Sequence, residues 1–173
     1  MNLESLIRER KLGRDVGLIT LQDREDNRLV CAHMLSQVQR ELCLFTRDLD
    51  KPVYDQAPFL AGVRELALCN RLSRIRILLQ DHERVVKQGH RLIELLRHLS
   101  SSAEIRVPNG DWLEHPENFL LADQYGYVHR ELSTRYEAKA DYFAPLEVRH
   151  LRSQFDEIWE SSQVDSELRR LYL

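Results

Sequence analysis

The chain has 173 residues, 43% of them hydrophobic and 31% charged, with a formal net charge of -3. That length suits one domain with a sizeable core, and the apolar content excludes a disordered chain. No apolar run approaches membrane-spanning length, and a general nucleic-acid binder is more often basic than this chain is.

The opening "MNLESLIRER" lacks a signal-peptide core, so the expected compartment is the cytoplasm. The first twenty-odd residues alternate charge with Leu and Ile, carry Gly13 and Gly17, and read as an arm or short helix. From Asp26, a suitable N-cap, Val30, Met34 and Val38 form a helical stripe with Cys31 and Leu35 beside it. "ELCLFTR" (residues 41–47) reads as a strand, ended by the turn "DLDKP". After Pro58 a second helical stripe runs through Phe59, Val63, Leu66 and Ala67. "RIRILLQ" (residues 74–80) is the next strand. Asp81 then caps one long helix with Val85, Leu92, Leu96 and Leu99 inward, Gly89 on the same stripe allowing close packing, and "SSS" (residues 100–102) ending it.

"AEIRVP" is a third strand. Strand–helix–strand connections of this length favour parallel pairing. "NFLLAD" and "GYVHREL" are separated by little more than a turn and read as an antiparallel pair, with "RYEAKADYF" as an edge strand. Pro145 opens the last strong helix, with Val148, Leu151, Phe155, Ile158 and Trp159 on its buried face. The tail "VDSELRRLYL" is charged with an apolar end. The expected architecture is a single α/β domain with a mixed, largely parallel sheet and helices on both faces. Residues 1–40 form an arm and helix packed on a domain spanning 41–173.

Cys31, Cys43 and Cys69 each sit in an apolar stretch and form no CxxC pair, which reads as buried reduced thiols. "DWLEHPE" gathers Asp111, Glu114, His115 and Glu117, but at no metal-ligand spacing, so a solvated acidic loop and no metal are expected. Of the histidines on predicted helices (His82, His90, His98 and His150), His90 borders the apolar stripe as a packing residue. Trp112, Tyr125, Tyr127, Tyr136, Tyr142 and Phe143 read as cover for a small sheet. Arg149 with Arg152, and Arg169 with Arg170, interleave with acids as solvated faces.

Residues 41–162 resemble one half of the phospholipase D superfamily. "LCLFTRDLD", a helix and "RIRILLQD" look like its opening strand–helix–strand. "NFLLAD" with Gly126 and a second strand looks like its catalytic strand, and "FDEIWESS" like its closing Phe-x-x-x-Trp helix. That catalytic strand carries a His nucleophile, a Lys two residues on, and an Asp five after the Lys. With Asp123 set on the Asp, the Lys position is Asn118 and the His position is Pro116, neither of which can replace the nucleophile or the cation. The family's Gly-Ser pair is also absent, its place taken by "HRELS" (residues 129–133). Similar segments follow acetyltransferase-like domains in bacterial proteins. Here "RKLGRDVG" does not form the Arg-x-x-Gly-x-Gly/Ala loop of acetyl-CoA binding, and no cofactor is expected.

The resemblance implies a non-catalytic phospholipase D-like domain serving as a binding or regulatory module. Ligands of parallel sheets lie beyond the carboxyl ends of the strands, where Arg47 and Gln80 fall. With Asp123, Arg130 and Arg135 they make a candidate anion pocket for a phosphate-containing ligand. The alternative is a phosphodiesterase- or phospholipase-type enzyme with relocated catalytic residues, His115 or His129. A second alternative is a nucleic-acid-binding module. Catalytic members of the superfamily pair two such units, so a homodimer is expected of a chain holding one.

Overall fold

A computed structural model of the chain describes residues 2–164, so Arg169, Arg170 and nearly all of the charged tail lie outside the described residues. The strands are β1 (Ile19–Leu21), β2 (Glu41–Thr46), β3 (Arg74–Leu79), β4 (Ala103–Val107), β5 (Asn118–Ala122), β6 (Gly126–Arg130), β7 (Ala138–Asp141) and β8 (Gln163–Val164). Among the described residues they form one eight-stranded sheet in the order β1-β7-β6-β5-β2-β3-β4-β8. The helices are α1 (Leu3–Arg8), α2 (Arg24–Leu35), α3 (Lys51–Tyr54), α4 (Ala57–Cys69), α5 (His82–Gln88), α6 (Arg91–Arg97) and α7 (Pro145–Ser161), with a 3-10 turn at Gly110–Glu114.

The α/β phospholipase D-like fold stands, but its sheet is mostly antiparallel rather than largely parallel. Among the described residues only β2–β3 and β3–β4 pair in parallel, each pair joined by crossover helices, α3 with α4 and then α5 with α6. β5, β6 and β7 follow one another as an antiparallel meander, β5 lies antiparallel to β2, and the short β1 and β8 add antiparallel edges. β1 also displaces β7 from the edge expected of it.

Alternation across the pleat splits the core in two. One face carries Leu42, Leu44, Ile75, Ile77, Leu120 and Val128 under helices α1 to α6. The other carries Cys43, Phe45, Leu78, Phe119 and Leu121 under α7, which presents Val148, Leu151, Phe155, Ile158 and Trp159 as its spacing predicts.

Three local expectations change. Asp23, not Asp26, caps α2. The Asp23 side chain accepts from the Asp26 N–H while the Asp26 carboxylate accepts from the Gln22 N–H, a reciprocal cap read three residues late from the sequence. The long helix after Asp81 is two helices, because Gly89 takes φ +74° and His90 caps α6 through Nδ1. A Cβ on Gly89 would meet nothing within 4 Å, so backbone conformation rather than close packing requires the glycine. Cys31 and Cys43 are buried, whereas Cys69, at the end of α4, is exposed.

Candidate functional site

The carboxyl ends of β2 and β3 meet the start of β5, where the resemblance places the catalytic pair. Asn118 is buried there and accepts a hydrogen bond from the Tyr54 hydroxyl at 3.3 Å. Its partner across the β5–β6 ladder is Arg130. The Arg130 guanidinium is also buried, and every edge of it is engaged. Nε donates to the Arg135 carbonyl (2.8 Å), Nη2 to the Ser133 carbonyl (2.6 Å), and Nη1 faces the Asp50 carboxylate at 3.5 Å. The guanidinium also lies over the Tyr136 ring, 4.8 Å from its centre. Asp50 thus sits where an incoming anion would meet this cation.

The loop that delivers Asp50 is held from below. Leu49 has φ +50°, its N–H donates to Thr46 Oγ1, and its carbonyl receives His90 Nε2 at 2.7 Å. Burial lowers the His90 pKa, so the ring acts as a neutral clamp, donating through Nε2 and accepting the Leu92 N–H at Nδ1. Burial, reinforced by the like charge of Asp50, raises the Asp48 pKa; Arg84, at 3.6 Å, opposes the shift. Burial pushes the Cys31 thiol beneath this region up to about 12 and holds the Tyr54 phenol well above its usual range, so neither supplies a nucleophile.

The five residues of the expected anion pocket do not share one pocket. Gln80 turns its amide away, donating to the Trp112 and His115 carbonyls. Arg135 meets Arg130 through its carbonyl. Asp123 lies at the opposite end of the sheet, because β5 runs antiparallel to β2 and Ala122 pairs with Leu42. With φ +53° its carboxylate accepts the backbone N–H groups of Gln39, Arg40 and Glu41. Beside it, Glu41 receives Arg76 at 2.5 Å and Arg152 at 2.8 Å, while Arg152 also donates to the Asp123 carbonyl. Sequence reasoning missed Tyr54 and gave Asp50 and Tyr136 no part in the site, reading them as a turn residue and as sheet cover.

His115 and His129 do come together, on the α7 face of the sheet, around Glu117. His115 Nε2 is 3.2 Å from Glu117 Oε2 and 3.0 Å from the Gln154 amide nitrogen. A ring protonated at Nε2 donates to Glu117; one protonated at Nδ1 accepts from Gln154 instead. His129 Nε2 is 3.7 Å from Glu117 Oε1 and is buried without a hydrogen-bond partner. Its ring also lines a cleft of about 740 Å³ with Arg135, Lys139, Glu131 and Thr20.

A mixed sheet with α1 to α6 on one face, α7 on the other and a hairpin beside the central parallel strands is the phospholipase D-like architecture. The chain belongs to the family described as "Domain of unknown function (DUF7931)", whose model matches residues 23–171. Its solved structural neighbours include TrmBL2, an archaeal chromatin protein with a novel mode of DNA binding, at TM-score 0.64 and 15% identity. That match covers 94% of this chain and 60% of the TrmBL2 chain, so the present chain spans less than two thirds of that neighbour. Nuc from Salmonella typhimurium, a phospholipase D family member, matches at TM-score 0.61 and 8% identity over 87% of this chain and 99% of its own. Phosphatidylserine synthase from Haemophilus influenzae Rd KW20 matches at 0.57 and 11% over 91% of this chain and 41% of its own. A search of curated proteins finds no match to the sequence.

Proposed function

We propose that this chain is a non-catalytic phospholipase D-like binding module. The observation that carries the reading is the state of Asn118: a neutral, buried amide hydrogen-bonded to Tyr54, in the place of the cation that phosphoryl transfer requires. Pro116 offers no nucleophile in the preceding same-face position, and Arg130 is already neutralised by Asp50. Arg47 and Arg135 carry no ion-pair partner among the described residues and supply positive charge for a phosphate-containing ligand at this end of the sheet. The DNA binding of TrmBL2 supports a binding use of such a scaffold. A homodimer fits the pairing of units in the superfamily and is read directly by light scattering. The deciding experiment incubates the full chain with bis(4-nitrophenyl) phosphate. No release of nitrophenol above the blank is expected, and turnover abolished by His115→Ala or His129→Ala would overturn the reading.

The second reading, a phosphodiesterase with relocated residues, is favoured by one contact. Glu117 approaches both imidazoles, and His129 borders the cleft that holds Arg135 and Lys139. A carboxylate-oriented imidazole beside cations is the arrangement a general base needs. The same assay separates the two readings.

A further inference from the structure

We propose that the corner between α4 and β3 is a docking surface for an anionic lipid bilayer. It lies at the amino ends of the parallel strands, away from Asn118, and does not draw on the reading of that site. Leu68 near the end of α4 is 70% exposed and Leu72 in the following turn is 72% exposed, among the most exposed large apolar side chains of the described residues. They are not loose. The Asn70 side chain ties the turn to β2 by donating to the Gln39 carbonyl at 3.2 Å and accepting the Leu72 N–H at 2.9 Å. The turn closes through the Ser73 N–H to the Asn70 carbonyl. A hydrogen-bonded frame therefore holds two leucines out into solvent, at a cost in hydration that a partner surface removes.

Along residues 64–74 three arginines stand against one acid, Glu65. Arg71 lies between the leucines, Arg64 one turn before Leu68 on the outer face of α4, and Arg74 opens β3, where its N–H meets the Arg40 carbonyl at 2.8 Å. The side chains of Arg40, Arg64, Arg71 and Arg74 have no hydrogen-bond or ion-pair partner among the described residues, in a chain whose formal net charge is -3. Glu65 and Glu41 are the acids next to these arginines in the chain; Arg40 and Arg74 share a cleft with Glu41, Asp123, Asp156 and Glu160, of which Glu41 and Asp156 are held by Arg76 and the Asp123 carboxylate by backbone N–H groups. Several arginines elsewhere are matched: Arg76 with Glu41 and Asp156, Arg91 with Asp55, Arg97 with Glu94. Unpaired guanidinium groups flanking protruding leucines suit a headgroup layer, with phosphates for the former and the acyl boundary for the latter. Backbone phosphates of a nucleic acid would use the arginines but leave the leucines in water.

Flotation of the full chain with vesicles tests this. Binding is expected to vesicles of phosphatidylglycerol mixed with phosphatidylcholine, to weaken as salt rises from 50 to 500 mM, and to be absent on phosphatidylcholine alone. Leu68→Ser with Leu72→Ser should reduce partition by at least about tenfold, and Arg71→Glu by roughly fivefold or more, with unfolding temperatures unchanged because these side chains are exposed. No binding to anionic vesicles, or binding that the leucine variants leave intact, overturns the proposal. So does affinity for duplex DNA, or self-association on sizing columns, that the same variants remove while vesicles are ignored.

Discussion

Asn118 and Arg130 face one another across β5 and β6, the amide bonded to Tyr54 and the guanidinium locked to Asp50. Arg130 holds this corner together as a buried cation. Removing it leaves the partly buried Asp50 without its cation and two carbonyls without donors. Arg130→Met should therefore destabilise the fold by about 3 kcal/mol, read by chemical denaturation. Arg130→Lys should recover only part of the loss, because a single ammonium cannot reach both carbonyls and the carboxylate. A near-neutral Arg130→Met would mean that the network contributes nothing.

Mild acid should weaken the fold. Burial lowers the folded pKa of His90, clamped to the Leu49 carbonyl, and of His33, whose Nδ1 is 2.7 Å from the Tyr142 hydroxyl. The unfolded chain then takes up protons near the ordinary value of about 6.5, while the folded chain does not. The contribution is present above that pH and is lost as pH falls through the depressed folded values. Unfolding midpoints measured from pH 7.5 to pH 5 should decline, and His90→Gln should flatten the decline while lowering the midpoint at pH 7.5.

Much of this frame was legible. The stripe Val148, Leu151, Phe155, Ile158 and Trp159 has the 3.6-residue period, and β2, β3 and β5 are apolar runs bounded by turn residues. β1 was not legible, because Ile19–Leu21 is too short to show alternation and gains its strand character from pairing with β7. Even without β1 and β8, three of the five remaining pairings are antiparallel, and the deciding one, β5 beside β2, joins strands far apart in the chain. The break at Gly89 was hidden because glycine fits an apolar stripe as well as a turn. For the site, the missing His and Lys are plain in the sequence. What replaces them is not, since Asp50, Tyr54 and Tyr136 reach Arg130 and Asn118 only through long-range folding. The resemblance, by setting Asp123 on the Asp of the catalytic strand, places it with the arginines; antiparallel pairing sends it to the other end.

That relocation has a consequence for Asp123. Its carboxylate accepts three consecutive backbone N–H groups at 2.8 to 3.0 Å. Asp123→Ala orphans them and places alanine at φ +53°, so a loss of about 2–4 kcal/mol is expected. Asp123→Asn, which tolerates that backbone and keeps one acceptor oxygen, should lose less. Equal stability in all three proteins would assign the carboxylate to a ligand instead.

Asp48 should behave in the opposite sense. Burial first, and then the neighbouring Asp50 charge, raise its folded pKa, so the folded chain keeps a proton that the unfolded chain releases. For such a group stability is fully present below the unfolded value and is lost as pH rises through the folded one. At neutral pH the ionised Asp48 therefore opposes folding, and its contact with Arg84, more than half exposed, offsets little of that. Asp48→Asn should raise the unfolding temperature at pH 7, by an increment that shrinks toward pH 4 as the carboxylate protonates in both states. A destabilising carboxylate beside Arg47, beyond the carboxyl end of β2, fits the proposed binding role better than a structural one. A fall in unfolding temperature on Asp48→Asn at pH 7 would make the residue a structural partner of Arg84 and remove it from that role.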